Sequence, residues 1–147
     1  CEVPDEQYAI PFGEAAFPRH GTDVTIVAIS NMVTRAIEAA DILAKEGISC
    51  EVIDPRTVSP LDDEAILESV EVTGRLVVVD EGNPRCGLAS DIAGIVAEKG
   101  YHSLIAPIRT VTAPHTPVPF APELEDAYIP SVEKILAAVR EVIGAQA

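Results

Sequence analysis

Apolar residues along this chain fall into two alternating rhythms. Short β-branched runs occupy residues 24–30 (VTIVAIS), 50–54 (CEVID), 75–81 (RLVVVDE) and 108–112 (IRTVT). Runs with little or no polar face predict strands covered on both sides. Between them apolar positions recur every three or four residues, the spacing of one helix face. Val33, Ile37, Ala40, Leu43 and Ala44 form such a stripe over residues 32–46, and Gly47 follows as a helix-terminating glycine should. Ile66, Leu67 and Val70 form a second stripe, ended by Gly74, and Ile92, Ile95 and Val96 a third over 88–99, closed by Gly100. Val132, Ile135, Leu136, Val139 and Ile143 define a last helix that starts near Ser131. Ser30 or Asn31 is expected to cap the first helix, and Ser59 or Asp62 the second, where Asp62, Asp63 and Glu64 suit the positive end of the helix dipole.

Strand and helix thus alternate three times, followed by a strand, an extended segment and a helix. That order predicts a three-layer α/β/α domain with a mostly parallel sheet of about five strands, its right-handed crossovers placing helices on both faces. Residues 113–122 carry prolines at 114, 117, 119 and 122 and are expected to be extended, since proline lacks the N–H a helix interior or central strand uses. Residues 8–16, interrupted by Pro11 and Gly13, are placed as an edge strand or hairpin. The organisation read from this is an N-terminal linker with an edge strand over 1–20 and one domain over 21–147.

Charge narrows the classes of partner. With 24 acidic and 10 basic residues the formal net charge is −14, which repels phosphate backbones and anionic lipid. Neither a nucleic acid nor a membrane surface is an expected partner; a basic protein is. No run of about 18 apolar residues is present to span a bilayer. The opening residues Cys1-Glu2-Val3-Pro4-Asp5 have neither the basic nor the apolar region of a signal peptide, and the absence of an initiator Met gives the look of a piece of a longer chain. Three cysteines, Cys1, Cys50 and Cys86, form no Cys-x-x-Cys and no even framework, which fits a reducing cytoplasm. Cys50 reads as a small core residue and Cys86 as a loop thiol without a neighbouring base.

The expected chemistry is sparse. A dinucleotide site needs glycines after the first strand, but that turn reads Ser30-Asn31-Met32-Val33-Thr34-Arg35. His20, His102 and His115 are far apart and form no metal-ligand spacing. Asp80 and Glu81 end a strand, where ligand sites of parallel sheets lie, yet neighbours on a strand point to opposite faces, so hydrogen bonds to loop amides are the simpler expectation. His115, in a rigid proline-flanked loop, and Arg56, directly after the second strand, are the remaining candidates. The simpler expectation is a surface or interface histidine for the first and a local tie to Asp54 or Asp62 for the second. No catalytic residue is assigned within the chain.

Several segments in order nevertheless resemble one family. Residues 23–28 (DVTIVA) with 36–40 (AIEAA) look like the opening of a transketolase-type C-terminal domain, and 52–62 (VIDPRTVSPLD) is similar to that family's signature after its second strand. Residues 74–81 (GRLVVVDE) match its next strand. Residues 111–120 (VTAPHTPVPF) and 124–130 (LEDAYIP) resemble the close of the β subunit of thiamine-diphosphate-dependent 2-oxoacid or acetoin dehydrogenases. The loops at 83–86 (NPRC) and 113–117 (APHTP) look most like the acetoin branch.

That resemblance implies an α2β2 enzyme that holds thiamine diphosphate and magnesium between the α subunit and the N-terminal domain of β. It cleaves a C–C bond and passes an acyl group to a lipoyl arm. On this reading none of the cofactor ligands falls in this chain, and the isolated domain is inactive. Its implied partners are a second β subunit, the α subunit and the basic peripheral-subunit-binding domain of a lipoyl acyltransferase. Glu123, Glu125, Asp126, Glu133 and Glu141, in the closing segment, are the expected docking residues; His115, Arg56 and Glu81 are expected at an interface or active-site entrance. Two other readings stay open: the matching domain of a transketolase or deoxyxylulose-phosphate synthase, and a stand-alone flavodoxin-like ligand-binding or regulatory domain.

Overall fold

The computed structural model describes residues 5–145, so Cys1 and the start of the expected linker lie outside the described residues. Five strands form one sheet: β1 (Ala16–Arg19), β2 (Val24–Ala28), β3 (Cys50–Asp54), β4 (Leu76–Asp80) and β5 (Arg109–Thr112), in the spatial order β1-β3-β2-β4-β5. β3, β2, β4 and β5 are parallel to their neighbours, and β1 alone is antiparallel, on β3. The helices are α1 (Met32–Lys45), α2 (Asp63–Thr73), α3 (Leu88–Lys99), α4 (Pro122–Tyr128) and α5 (Val132–Gly144).

The three-layer expectation follows from the two central strands, β2 and β4, in which every residue is buried. Alternation sends Val24, Ile26, Ala28, Val77 and Val79 into a core with Met32, Ala36, Leu43, Ile135 and Val139 of α1 and α5. The opposite set, with Val27, Leu76 and Val78, meets Ile66, Val70, Ile92 and Val96 of α2 and α3. At about 25 cal/mol per Å2 of apolar surface, each such Val or Ile contributes roughly 1.5–3 kcal/mol. Thr25 is the polar exception on β2. Its hydroxyl lies 2.7 Å from both Ser69 Oγ and Thr73 Oγ1 of α2, so a fully buried Thr keeps its hydrogen bonds.

The helix ends show where local chemistry acts. α1 closes on Gly47 at φ 81°, with Gly47 N–H donating to Ala44 O and Ile48 N–H to Leu43 O at 3.1 and 3.0 Å, the paired bonds of a left-handed glycine stop. Asp62 caps α2 by accepting from Ala65 N–H at 3.2 Å and also accepts from Ala15 N–H at 2.7 Å; Ser59 is not the cap. Ser131 caps α5. The cap expected of Ser30 or Asn31 is not made: Asn31 is already helical in backbone and its side chain accepts nothing. The preceding turn takes over, with Met32 N–H and Val33 N–H donating to the carbonyls of Ile29 and Ser30.

Two further expectations are corrected. Residues 8–15 are not a strand; the edge strand lies at Ala16–Arg19, just after Pro11 and Gly13, and tolerates Pro18 because its outer side has no partner. Residues 113–121 form neither helix nor strand but bend at His115 and Thr116, where Thr116 N–H donates to Pro114 O at 2.8 Å, and Pro122 opens α4, since a first helical position needs no N–H. Exposed ion pairs tie elements together from outside, as when Arg140 of α5 grips both carboxylate oxygens of Glu46 at 2.6 and 3.1 Å, just past α1, and holds that carboxyl below its usual range.

Two outcomes are expected from this core. Replacing Thr25 with Val strands the Ser69 hydroxyl, leaves Thr73 Oγ1 only its bond to Arg75 O at 3.2 Å, and lowers the unfolding free energy by ~1–3 kcal/mol in urea titration. Adding Ser69→Ala to that variant recovers most of the loss, because Thr73 Oγ1 keeps the Arg75 carbonyl and no hydroxyl is left unpaired. Burial pushes the Cys50 thiol up to about 11, whereas Cys86 is exposed. Peptide mapping after brief alkylation of the folded chain is therefore expected to find Cys86 modified and Cys50 untouched until denaturant is added.

Candidate functional site

All four parallel strands end at one edge of the sheet, and connections leave it in opposite directions: from β2 to α1 on one face, from β4 to α3 on the other. The carboxyl edge between β2 and β4 is thus the point where parallel α/β sheets form ligand crevices. Among the described residues three non-glycine positions adopt positive φ, Ser30 at 57°, Arg56 at 57° and Cys86 at 52°, one in each of the loops that follow β2, β3 and β4. Left-handed backbone at such residues is uncommon, and its concentration at one edge marks loops whose shape is imposed by their surroundings.

Two shallow clefts open there. One, of about 450 Å3, is lined by Ile29, Ser30, Asp54, Pro55, Arg56 and Val58. The other, of about 570 Å3, is lined by Val58, Cys86, Gly87, Leu88, Ser90 and Asp91. The N-terminal segment closes in on the same loops: Gly13 N–H donates to Thr57 Oγ1 at 2.9 Å and Ala15 N–H to Asp62. Gly13 also sits against Pro60.

The candidate residues separate in character. Arg56 is exposed, and it is its backbone N–H, not its guanidinium, that bonds Asp54, at 2.9 Å to Oδ1. Asp62, the alternative tie, is engaged elsewhere by the Ala15 and Ala65 amides. Asp80 is buried, and its Oδ1 accepts from Gly82 N–H at 2.9 Å, the loop-amide role expected of it, while Glu81 is half-buried. His115 is exposed on the segment leaving β5, and its Nδ1 lies 2.6 Å from Asn83 Oδ1 in the loop leaving β4. The same two segments are joined through their backbones by Ala113 N–H donating to Gly82 O at 3.2 Å.

The acidic residues of the closing segment lie on two helices. Glu123, Glu125 and Asp126 are exposed on α4, the first two in its opening turn. Glu133 is in the first turn of α5, where its own backbone N–H and the Ser131 hydroxyl hold its carboxyl below the usual range. Glu141 accepts from Arg109 Nη2 at 2.5 Å, and that guanidinium lowers its pKa. Among the described residues no group of three His, Cys, Asp or Glu could hold a metal ion.

Sequence reasoning missed two parts of this arrangement. Asn83 as the partner of His115 has no local signal, since 32 positions separate them. α4 did leave one: Pro122 followed by Glu123 and Glu125 is the composition of a helix start, proline at the first position and acids near the positive dipole end.

Comparison with known proteins agrees with this architecture. The chain matches the transketolase C-terminal domain over residues 13–135. It is 52% identical over 143 residues to the β subunit of acetoin:2,6-dichlorophenolindophenol oxidoreductase of Bacillus subtilis (strain 168) and 58% identical over 142 residues to the subunit of the same name from Cupriavidus necator. Each alignment takes in 97% of this chain and 42% of the relative. With the pyruvate dehydrogenase E1 component β subunit of Bacillus subtilis, identity is 42% over 97% of this chain and 43% of the relative. The chain thus spans about two fifths of the length of these relatives. A split-gene transketolase solved as an inactive β4 tetramer superposes with a TM-score of 0.82 at 29% identity, over 99% of this chain and 46% of that one. With the matched span running from just before β1 into α5 and the sheet order in place, this chain belongs to the transketolase C-terminal domain family.

Proposed function

We propose that this chain is the C-terminal assembly domain of the β subunit of a thiamine-diphosphate-dependent dehydrogenase whose substrate is acetoin. The observation that carries the reading is identity of 52–58% with acetoin oxidoreductase β subunits over 97% of the chain, against 42% with a pyruvate dehydrogenase β subunit over the same share. The stretch ahead of Gly21 serves in this reading as the linker to the rest of the subunit, with β1 stitched to the sheet edge. The complete enzyme works in the cytoplasm.

In this reading the domain itself supplies no ligand to thiamine diphosphate or magnesium. The proposal therefore places thiamine diphosphate and magnesium elsewhere in the complete enzyme, where the cofactor supplies the carbon nucleophile for opening a C–C bond beside a carbonyl. What this domain contributes is surface. Phe12 and Phe120 are 84% and 100% exposed, and Tyr8, Val58, Val118 and Leu124 are also exposed. Apolar side chains held in water along three segments, before β1, after β3 and after β5, suit burial against other subunits, the second β subunit and the α subunit. His115, Arg56 and Glu81 lie in the same loop cluster and belong to that contact or to the entrance of the active site.

The acidic side chains of α4 serve in the same proposal to dock the basic peripheral domain of a lipoyl acyltransferase. Glu123, Glu125 and Asp126 carry this role, because Glu141 is paired with Arg109 and Glu133 is held by its own helix start.

Two experiments bear on this. The complete β subunit, assembled with its α subunit, thiamine diphosphate and magnesium, is expected to reduce 2,6-dichlorophenolindophenol with acetoin and not with pyruvate or branched-chain 2-oxoacids. Pyruvate-driven reduction transfers the reading to the pyruvate branch, and no reduction by an assembled tetramer removes the dehydrogenase assignment. Reversing the charges of Glu123, Glu125 and Asp126 to Lys is expected to slow association with the basic domain roughly tenfold or more at low ionic strength, with the difference fading as salt rises. Equal rates at low salt exclude α4 as the docking face.

A further inference from the structure

We propose that Asn83 sets the tautomer of His115, so that the domain presents the imidazole Nε2 lone pair as a fixed hydrogen-bond acceptor at the carboxyl edge of its sheet. This inference rests on loop geometry alone and does not depend on the dehydrogenase reading. Asn83 Oδ1 lies 2.6 Å from His115 Nδ1. An amide oxygen only accepts, so the proton resides on Nδ1 and the lone pair on Nε2.

Both partners are held from behind. On the β4 side, Asp80 Oδ1 accepts from Gly82 N–H, and Ser90 Oγ donates to Pro84 O at 2.7 Å, pinning the residues on either side of Asn83. Gly87 approaches so closely that a Cβ there would run into the Asn83 carbonyl oxygen. On the β5 side, His115 stands between Pro114 and Pro117, Thr116 N–H donates to Pro114 O at 2.8 Å, and Tyr128 Oη of α4 donates to Thr116 O at 3.3 Å. The Gly82–Ala113 backbone bond then fixes one segment to the other.

Such bracing around an exposed side-chain pair is more than surface loops require, and its product is one ring orientation and one tautomer. A neutral imidazole held this way receives an O–H or N–H donor and offers nothing to a bare carbonyl or phosphate oxygen. Asn83 is thus a positioning residue, and the specificity it confers is for hydrogen-bond donors.

The test is spectroscopic. The 147-residue chain, labelled with 15N in its histidine rings, is examined by long-range proton–nitrogen correlation near pH 8.5, where an ordinary imidazole is neutral. His20→Gln and His102→Gln assign the other two rings. His115 is expected in the Nδ1–H form. Asn83→Ala is expected to move its tautomer ratio toward Nε2–H about five- to tenfold, the size of one net hydrogen bond, whereas Asn83→Asp retains the Nδ1–H form because a carboxylate also only accepts. Backbone amide spectra of the same variants report that the sheet is intact, a change in packing alone leaving the ring ratio where it was. A wild-type His115 mainly in the Nε2–H form overturns the proposal, and so does an unchanged ratio in folded Asn83→Ala.

Discussion

The pairing of β2 with β4 is the contact on which the rest of the molecule depends. Each strand is buried along its whole length, so neither face can be left to water. Two adjacent strands of this kind demand a helix layer on each side, and right-handed connections deliver it only if α1 and α3 leave the sheet in opposite directions. The crevice at the carboxyl ends of β2 and β4 is a consequence of the apolar pattern, not of any residue that lines it. The same holds for the loops around it. Their left-handed residues, Ser30, Arg56 and Cys86, are tolerated because packed strands and helices fix the start and end of each turn.

Most of this frame was legible because it is written at short range. Strand runs and helix stripes are periodic signals within ten or fifteen residues, and the stops at Gly47 and Gly74 and the cap at Asp62 are local chemistry. What was not legible depends on distance in sequence or on competition between local options. The edge strand slipped to Ala16–Arg19 because its place is decided by pairing with Val52 and Asp54, far along the chain. The unused Asn31 cap illustrates competition: a polar side chain was available, but the backbone carbonyls of Ile29 and Ser30 satisfied the same donors first. The family resemblance was legible for another reason, since ordered motifs at 52–62, 74–81 and 111–130 identify a lineage whether or not they carry chemistry.

The candidate site divides along the same line. Asp80 and Glu81 announced themselves as an acidic pair, but the structure gives Asp80 to a loop amide, a role in building the edge. His115 was legible as a rigidly placed histidine, whereas the residue that gives it direction, Asn83, became visible only when β4 and β5 were side by side. Functional geometry in parallel sheets is assembled from the ends of strands distant in sequence, so a reading that proceeds along the chain finds the members and not the pair.

Charge on the surface needs the same discrimination between a count and a placement. A net charge of −14 says that a cationic partner is welcome anywhere. The ion pairs remove several carboxylates from that role: Glu46 serves Arg140, Asp63 serves Lys99, and Glu141 serves Arg109. These pairs staple helices to one another or to the strand beneath, and each lowers the carboxylate's pKa through its cationic partner. Glu123, Glu125 and Asp126 are different in kind. They sit on a two-turn helix begun by a proline, beside exposed Leu124 and, at the nearest, three residues after fully exposed Phe120. The first turn of a helix welcomes acids for its own dipole, so their presence there is accounted for locally. Their exposure next to uncovered apolar side chains is not, and in the docking role proposed for α4 the combination of negative charge with an aromatic held in water is completed by a basic, partly apolar surface.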